Sequence, residues 1–219
     1  MFTHTNKQYH WPKISRKNIN GKRHYVDESG NIYNSVTRVT GILADEGLKQ
    51  WKEKVGEDVA NYVMIKAQNY GTKLHKHVED HLNNKVPSFD NLLSMAHFRN
   101  IEPLLENINH IRGIEVQMFS KSLGLAGTVD CVADYQGTPS IIDFKTSSKA
   151  KPEEWIQSYF QQATAYSLMW EENTGEKIDQ IVILMSGEDM SCNPYIKDRN
   201  VYIMPLSETI AKFNKENNL

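Results

Sequence analysis

The spacing of apolar residues divides the chain into a helical first half and a strand-rich second half. Up to about residue 112, apolar side chains recur at every third or fourth position, a period typical of helices that bury one face. A hairpin of two short strands over residues 22–34 precedes these helices, and Ser35 or Thr37 is a candidate N-cap for the first of them. Pro103 lacks a backbone N–H, so we expect a kink or break in its helix.

After Gly113 the apolar period changes to two, which is typical of strands. Short turns containing glycine separate the first three strands, so we expect them to form an antiparallel meander. We expect residues 141–145 to be the central strand, and Pro152 and Gly175 to mark the ends of the following helix. The elements predicted for this half are strands over residues 113–120, 127–136 and 140–146, a helix over about 152–172, strands over 179–186 and 200–205, and a helix from Ser207.

The composition is that of an ordinary globular domain. Of the 219 residues, 39% are hydrophobic and 24% are charged, and no apolar run approaches the roughly 20 residues that cross a bilayer. This length suits one well-packed domain and is short for two. We therefore expect no membrane contact and a single domain over residues 1–219. In it, a mainly helical lobe with a short hairpin (1–112) precedes a sheet core with flanking helices (113–219).

The N-terminal segment and the cysteines indicate a compartment. The sequence MFTHTNKQYHWPKIS has no apolar stretch of signal-peptide length and is not clearly typical of a transit peptide. We therefore expect a cytoplasmic protein, from a bacterium or from a phage-infected cell. Cys131 and Cys192 are too few for a disulfide framework or for a four-thiolate iron–sulfur cluster, so we expect two reduced thiols.

Basic residues are concentrated near the N-terminus, although the net charge is only −2. A near-neutral balance argues against strong nonspecific binding to nucleic acid. Residues 1–40 nevertheless carry seven basic side chains against two acidic ones, and residues 145–151 carry three lysines. These side chains either form a solvated surface or follow a phosphate backbone. The basic residues of the first segment are Lys7, Lys13, Arg16, Lys17, Lys22, Arg23 and Arg38.

Two charged residues interrupt the predicted central strand. Asp143 and Lys145 are two positions apart, so they share one face of the strand and are separated by about 7 Å of backbone. A carboxylate in an apolar strand costs several kcal/mol unless a cation or a hydrogen-bond donor compensates it. Two interpretations are open at this point: a buried ion pair between the two residues, or a divalent metal.

The preceding strand carries a second acid. Asp130 interrupts the apolar residues of that strand, and a hairpin through Gly137 would bring it beside Asp143. Carboxylate oxygens suit Mg²⁺ or Mn²⁺, which lower the pKa of bound water for attack on phosphorus. Lys145 would then stabilise the attacking hydroxide or the charge on the phosphoryl oxygens. The residues therefore favour a phosphodiesterase site of Asp130, Asp143 and Lys145 that uses one or two ions.

Three motifs in this order resemble the RecB-like branch of the PD-(D/E)XK nucleases. They are a glycine-led strand with Asp130, the motif D-x-K-T beginning at Asp143, and the helix motif Q-x-x-x-Y formed by Gln162 and Tyr166. Within that branch, the chain is most similar to the mitochondrial genome-maintenance and phage exonucleases. The resemblance implies a restriction-endonuclease-like α/β fold with an αβββαβ core, a mixed central sheet and a helical N-terminal lobe.

The same resemblance implies roles for further residues. Lys145 would be catalytic, and Gln162 and Tyr166 would contact the nucleic-acid backbone. From the residues alone, Gln162 and Tyr166 are better explained by an amphipathic helix that faces the sheet, and only the order of the motifs favours a role in binding. The implied metal ligands are His75, Asp130, Asp143 and the backbone carbonyl of Phe144, although His77 and His81 compete with His75 on the same predicted helix.

Glu115 and the loop after the catalytic strand are additional candidates. Glu115 lies among apolar residues of the first predicted strand, so it either reaches a second metal or is a surface acid on an edge strand. The loop either binds phosphate through its hydroxyl and ammonium groups or is simply polar. Its residues are Thr146, Ser147, Ser148 and Lys149.

These observations predict a Mg²⁺- or Mn²⁺-dependent DNA exonuclease that prefers single-stranded ends. We expect a monomer that acts in DNA replication, repair, recombination or degradation, with a replication or recombination protein as a candidate partner. A helical arch through which a strand end passes would explain the dependence on ends. Two alternatives stay open: a structure-selective or sequence-specific endonuclease on duplex DNA, and an inactive nucleic-acid-binding protein on the same fold.

Overall fold

Eight strands form one mixed sheet and five α-helices pack against it in the computed structural model, which describes residues 1–218. None of these helices combines the length and the apolarity that a membrane-crossing segment needs. The strands are β1 (Ile14–Ile19), β2 (Lys22–Asp27), β3 (Ile32–Ser35), β4 (Ile108–Ser120), β5 (Leu125–Tyr135), β6 (Thr138–Ser147), β7 (Gln180–Gly187) and β8 (Cys192–Asp198). The helices are α1 (Val36–Val55), α2 (Glu57–Leu82), α3 (Leu92–Leu105), α4 (Gln157–Thr174) and α5 (Ile203–Asn217).

The strand order places β6 inside the sheet. The order is β1-β2-β3-β5-β6-β7-β8, and β4 pairs with β5 beside this path. β4, β5 and β6 form the expected antiparallel meander, whereas β6 and β7 are parallel and are connected through α4. β3 and β5 form a second parallel pair. This arrangement confirms the α/β class, the mixed sheet and the αβββαβ core.

Alternating side chains along the strands create a hydrophobic core on each face of the sheet. Ile181 and Ile183 of β7 pack with residues of α1, α4 and α5, while Val182 and Leu184 pack with residues of α2 and α3. Full burial of one such side chain stabilises the fold by about 1.5–3 kcal/mol. The interior strands are therefore held from both sides, which fixes the position of the residues they carry.

The N-terminal half departs from its prediction in three places. The predicted hairpin is present as β2 and β3, but β1 precedes it and was not predicted. α3 continues through Pro103 to Leu105, so the expected break is wrong. The proline removes a single backbone hydrogen bond, the one to the Arg99 carbonyl, near the end of the helix. β4 begins at Ile108 rather than at 113, because Ile108 pairs with Tyr135 at the end of β5.

The strand predicted over residues 200–205 is also wrong. Residues 199–201 form a 3₁₀ turn, and α5 begins two residues later at Ile203. Tyr202 and Leu206 are both buried, and their spacing of four residues suits one face of a helix. The last strand of the sheet is instead β8, which pairs with β7.

The helix predicted from about residue 152 begins later than expected. Pro152 precedes a short 3₁₀ turn, and α4 itself begins at Gln157. Its end is as predicted, since Gly175 adopts a left-handed conformation with φ of 73° directly after the helix.

α1 and α2 form a helical hairpin that extends beyond the sheet. They meet at Gly56, whose φ of 86° lies in the region that favours glycine. Residues 61–65 of α2 are all exposed, so no face of the helix is covered there. The second half of α2 packs against α3 and β6 and carries His75 to the sheet.

Candidate active site

Asp130 and Asp143 lie at a fork in the sheet. β5 and β6 pair as far as Cys131 and Ile142, and the two acids are the next residues of their strands. Beyond this point the beginning of β5 pairs with β3, while the end of β6 remains paired with β7. The N–H of Phe144 donates to Asp130 Oδ2 over 2.9 Å. The two carboxylates therefore face each other where the strands separate.

Asp143 is buried with only partial compensation for its charge. Gln162 donates from Nε2 to Asp143 Oδ1 over 2.9 Å. Lys145 Nζ lies 2.5 Å from the other oxygen, Oδ2, yet that oxygen accepts no hydrogen bond of acceptable geometry from the described residues. Burial raises the pKa of Asp143 to about 6, although the Lys145 charge acts in the opposite direction. A further cation at Oδ2 would relieve this cost.

His75 reaches the acids from α2 and has two different contacts. Its Nε2 lies 2.9 Å from the Phe144 carbonyl oxygen, to which it donates. Its Nδ1 lies 3.4 Å from Asp130 Oδ1 and 3.7 Å from Glu115 Oε1. Burial disfavours the imidazolium, but the Asp130 charge and the contacts with Asp130 and Glu115 outweigh burial and raise the pKa of His75 to about 10. The acid cluster therefore stabilises a positive charge at the position of His75.

Glu115 adopts a backbone conformation that non-glycine residues rarely have. Its φ is 51°, in the left-handed region that costs an L-residue roughly 1–2 kcal/mol. Ile114 and Val116 pair with Cys131 and Val129, so Glu115 stands opposite Asp130 across the ladder. Strained backbone of this kind is concentrated at functional sites. Here it accompanies a carboxylate that is directed at His75.

The donor set fits a small hard cation. One atom each from His75, Glu115 and Asp130 lies within 4.8 Å of the other two. Ligands around Mg²⁺ at about 2.1 Å are at most about 4.2 Å apart, so a small contraction would suffice. The carboxylate oxygens of this set suit Mg²⁺ or Mn²⁺. Asp143 lies next to this set, and its unsatisfied Oδ2 provides a further candidate ligand atom.

Lys145 is held by an acid and an aromatic ring. Besides its contact with Asp143, its Nζ lies 5.1 Å from the centroid of the Tyr159 ring, within the range of a cation–π interaction. Burial opposes the ammonium form, but the charges of Asp143 and Asp130 outweigh it and raise the pKa of Lys145. The site thus contains a lysine that stays charged.

Tyr159 is a site residue that the sequence analysis missed. The side chains of Tyr159, Gln162 and Tyr166 all lie on the side of α4 that faces the acids. Their spacing of three and seven residues is that of one helical face, and this spacing was the available signal. The motif Q-x-x-x-Y drew attention only to the second and third of these residues.

Gln162 and Tyr166 are interior residues, with 7% and 2% of their surface exposed. The Tyr166 ring lies over Gly127 of β5, and a Cβ there would be 2.8 Å from both Cε1 and Oη of Tyr166. Burial raises the pKa of Tyr166 well above its ordinary value. In this arrangement Gln162 contacts Asp143 and Tyr166 packs beneath the fork.

The loop after β6 divides between interior and surface. Thr146 and Ser147 are half-buried, whereas Ser148 and Lys149 are exposed. The Ser147 hydroxyl donates to the Lys149 carbonyl over 2.6 Å, which closes a tight turn. The loop residues therefore lie beside the site, and the Ser147 hydroxyl is engaged within its own turn.

An open cleft between α2 and β4 reaches the acid cluster. The cleft is lined by Gly71, Thr72, His75, Lys76, Glu79 and Glu115.

His77, one of the two alternatives to His75, is not part of this site. It is buried against Phe89 and Phe98 on the other side of α2.

Comparison with known proteins identifies the family. The model of the PD-(D/E)XK nuclease superfamily matches residues 45–202, a segment that contains His75, Glu115, Asp130, Asp143 and Lys145. The chain belongs to the PD-(D/E)XK nuclease superfamily. Members of this superfamily generally use divalent metals, which agrees with the donor set of His75, Glu115 and Asp130.

This superfamily member is similar to curated exonucleases. It is 26% identical over 211 residues to human mitochondrial genome maintenance exonuclease 1, a match that covers 85% of this chain and 61% of the human protein. The mouse protein of the same name is 29% identical over 132 residues, which cover 54% of this chain and 39% of that protein. The chain thus spans less than two thirds of the length of these relatives.

One solved structure is also similar to this superfamily member. It comes from Eubacterium rectale and is described as a candidate exonuclease. The match has a TM-score of 0.47 and 15% sequence identity, and it covers 66% of this chain and 63% of the other.

Proposed function

We propose that this chain is a metal-dependent DNA exonuclease that prefers single-stranded ends. The observation that carries the proposal is the convergence of acids, imidazole and ammonium at the fork between β5 and β6. Family membership supports nuclease chemistry there. The names of the curated relatives favour an exonuclease over an endonuclease.

The metal ligands we propose are His75 through Nδ1, Glu115, Asp130 and Asp143. His75 Nε2 is engaged with the Phe144 carbonyl, so that carbonyl orients the imidazole and can offer its second lone pair as a ligand. A bound Mg²⁺ or Mn²⁺ would supply Lewis-acid stabilisation of the phosphate and a nucleophilic hydroxide at neutral pH. The unusual conformation of Glu115 supports its inclusion in the ligand set.

The chain's own residues would position and stabilise the reacting groups. Lys145 keeps its proton and points its ammonium group at the acids, so it can stabilise negative charge on the phosphoryl oxygens of the transition state. Tyr159 restricts the position of that ammonium. Gln162 fixes one oxygen of Asp143 and leaves the other directed toward Lys145 and the metal. Asp130 is fixed in the same way by the Phe144 N–H.

Two structural features favour a single strand over a duplex as the substrate. The α1–α2 hairpin joins the two faces of the sheet, and Lys66 of α2 lies 3.3 Å from Glu188 in the turn after β7. The N–H of Glu188 also donates to the carbonyl of Ser147 at the end of β6. α2 is thereby connected to the edge on which the site lies. An opening enclosed in this way suits a flexible single strand. The exposed side chains of Ser148 and Lys149 can contact the phosphates of that strand.

End-labelled substrates test the proposal. Linear and circular single-stranded DNA, duplex DNA and RNA are incubated with Mg²⁺, Mn²⁺ or EDTA, and the products are resolved by length. We expect metal-dependent shortening of the linear single strand and resistance of the circle. Lys145→Met protein, purified identically, is the control for contaminating nucleases. Equal cleavage of the circle would favour the endonuclease, and binding without cleavage would favour the inactive binding protein.

A further inference from the structure

Two basic side chains converge on one neutral oxygen near the edge of the sheet that lies opposite β8. Arg38 Nη2 lies 3.0 Å from Asn217 Oδ1, and Lys22 Nζ lies 3.4 Å from the same atom. An amide oxygen carries only a partial negative charge and is a weak counterpart for two full positive charges. Over residues 1–218, neither cation forms an ion pair with a carboxylate within 4.0 Å. An anion between them would be a better partner.

His24 keeps Arg38 in this position without neutralising it. His24 Nδ1 lies 3.0 Å from the Lys22 carbonyl, to which it donates, so Nε2 is free to accept from Arg38 Nη1 over 3.0 Å. Arg38 also donates to Asn34 and lies 4.8 Å above the Phe213 ring. The guanidinium is thus fixed by neutral groups, and its charge remains available. Lys22 is exposed and Arg38 is half-buried.

The fork in the sheet connects this pair with the acids. His24 pairs with Asn34, and Asn34 pairs with Leu125 at the beginning of β5. Asp130 is five residues further along β5. The path from His24 to Asp130 crosses two strand spacings of about 4.8 Å and then follows five residues of about 3.3 Å each along β5. Because these two directions are perpendicular, the backbones of His24 and Asp130 are about 19 Å apart. A strand leaving the acids along the β5 side of the fork would therefore approach the basic pair.

We propose that Lys22 and Arg38 form a binding subsite for a backbone phosphate of single-stranded DNA. At about 3.4 Å per phosphate of a stacked strand, the separation of about 19 Å corresponds to roughly six nucleotides from the bond that is cut. The two positive charges of the subsite favour the anionic phosphate backbone over the neutral base edges, so we expect it to position the strand without reading sequence. It rests on the proposed function for the identity of its ligand.

Binding measured without divalent metal tests the subsite separately from catalysis. A fluorescent 20-nucleotide oligothymidylate is titrated in EDTA between 50 and 200 mM salt, with wild type, Lys22→Gln and the double variant with Arg38→Gln. Loss of one phosphate contact reduces the slope of log affinity against log salt by about 0.7 for a single strand. We expect this reduction for Lys22→Gln and about twice as much for the double variant. Lys13→Gln, an exposed lysine on the same segment, is the matched control and leaves the slope unchanged.

Length dependence provides the second measurement. A strand of two nucleotides is too short to span the acids and the basic pair, so wild type and Lys22→Gln should bind and cleave it equally. A wild-type slope in Lys22→Gln with the long strand would overturn the subsite and leave the proposed function standing. Absence of any single-strand binding by wild type would overturn both. Lys22 is exposed, so this variant tests the subsite even if the double variant does not fold.

Discussion

The side-chain amide of Gln162 donates a hydrogen bond to Asp143 Oδ1 over 2.9 Å. This contact fixes one oxygen of the carboxylate and leaves the other, Oδ2, facing Lys145. Because Asp143 is 1% exposed, water cannot replace the amide without rearrangement of the interior. Gln162 is therefore a positioning residue that orients Asp143.

Gln162→Leu should keep the fold and lose activity. Loss of a hydrogen bond to a metal-ligating carboxylate typically costs 10-fold to 100-fold in metal affinity or activity. We expect a loss of that size in the rate of single-strand cleavage, together with a higher Mn²⁺ concentration for half-maximal rate. Gln161→Leu is the matched control, because Gln161 is equally buried and its Oε1 accepts no hydrogen bond from the described residues. Equal rates for the two variants would contradict this role.

The left-handed backbone of Glu115 should lower the stability of the protein, because the position is kept for metal binding. Glu115→Gln removes the charge but keeps a side chain at φ of 51°, whereas Glu115→Gly also relieves the left-handed backbone. We expect Glu115→Gly to be more stable than Glu115→Gln by about 1 kcal/mol in urea unfolding. Both variants should bind Mn²⁺ at least tenfold more weakly by calorimetry.

Gln136, a second residue with a left-handed backbone, is the control that distinguishes backbone strain from metal binding. Gln136 has φ of 52° in the turn between β5 and β6, away from the carboxylates. Gln136→Gly should stabilise the protein by a similar amount and leave Mn²⁺ affinity unchanged. Wild-type Mn²⁺ affinity in Glu115→Gln would show that Glu115 is not a ligand, whatever its backbone conformation.

The interior strands were predictable because they are largely apolar segments bounded by turn residues. Their existence and the antiparallel meander of β4, β5 and β6 followed from the sequence. β1 was not predictable in this way, since four of its six residues are exposed and its polar pattern resembles a loop. The strand assigned to residues 200–205 failed because a short apolar run does not distinguish a strand from a helix.

The candidate site was predictable in its residues and not in its contacts. A hairpin placed Asp130 beside Asp143 because antiparallel neighbours share a register. The point at which β5 and β6 separate could not be located from the residues, since the beginning of β5 pairs with the distant strand β3. The contact of His75 with the Phe144 carbonyl depends on how α2 docks against β6. Tertiary packing decides both features.

Gly127→Ala should destabilise the protein through Tyr166. The added methyl group would be 2.8 Å from the Tyr166 ring, and the ring is buried and cannot move aside freely. Overpacking of this kind typically costs about 1–3 kcal/mol, which urea unfolding would detect. Gly41→Ala in α1 meets nothing within 4 Å and should instead stabilise the helix by about 0.5–1 kcal/mol. Similar effects of the two substitutions would contradict the close packing at Gly127.

His97 should make the protein less stable in mild acid. It is 2% exposed, and its Nδ1 donates to Ser186 Oγ over 3.1 Å while the Ser186 hydroxyl donates to the His97 carbonyl. Burial lowers the pKa of His97, an effect that the Glu188 charge only partly offsets. Since the unfolded chain has the higher pKa, near 6.5, it binds more protons than the folded chain as pH falls below that value.

The stability that depends on neutral His97 is therefore complete above pH 6.5 and declines as pH falls below it. We expect the free energy of unfolding in urea to decrease between pH 7.5 and 5.5, and to decrease less in His97→Leu. Ser186 keeps its donor contact with the residue 97 carbonyl in that variant, so no buried hydroxyl is left unpaired. The exposed His10→Leu is the matched control and should retain the wild-type dependence. Because all three proteins retain Asp143, an equally steep loss in His97→Leu would assign the acid sensitivity to other groups and contradict this role for His97.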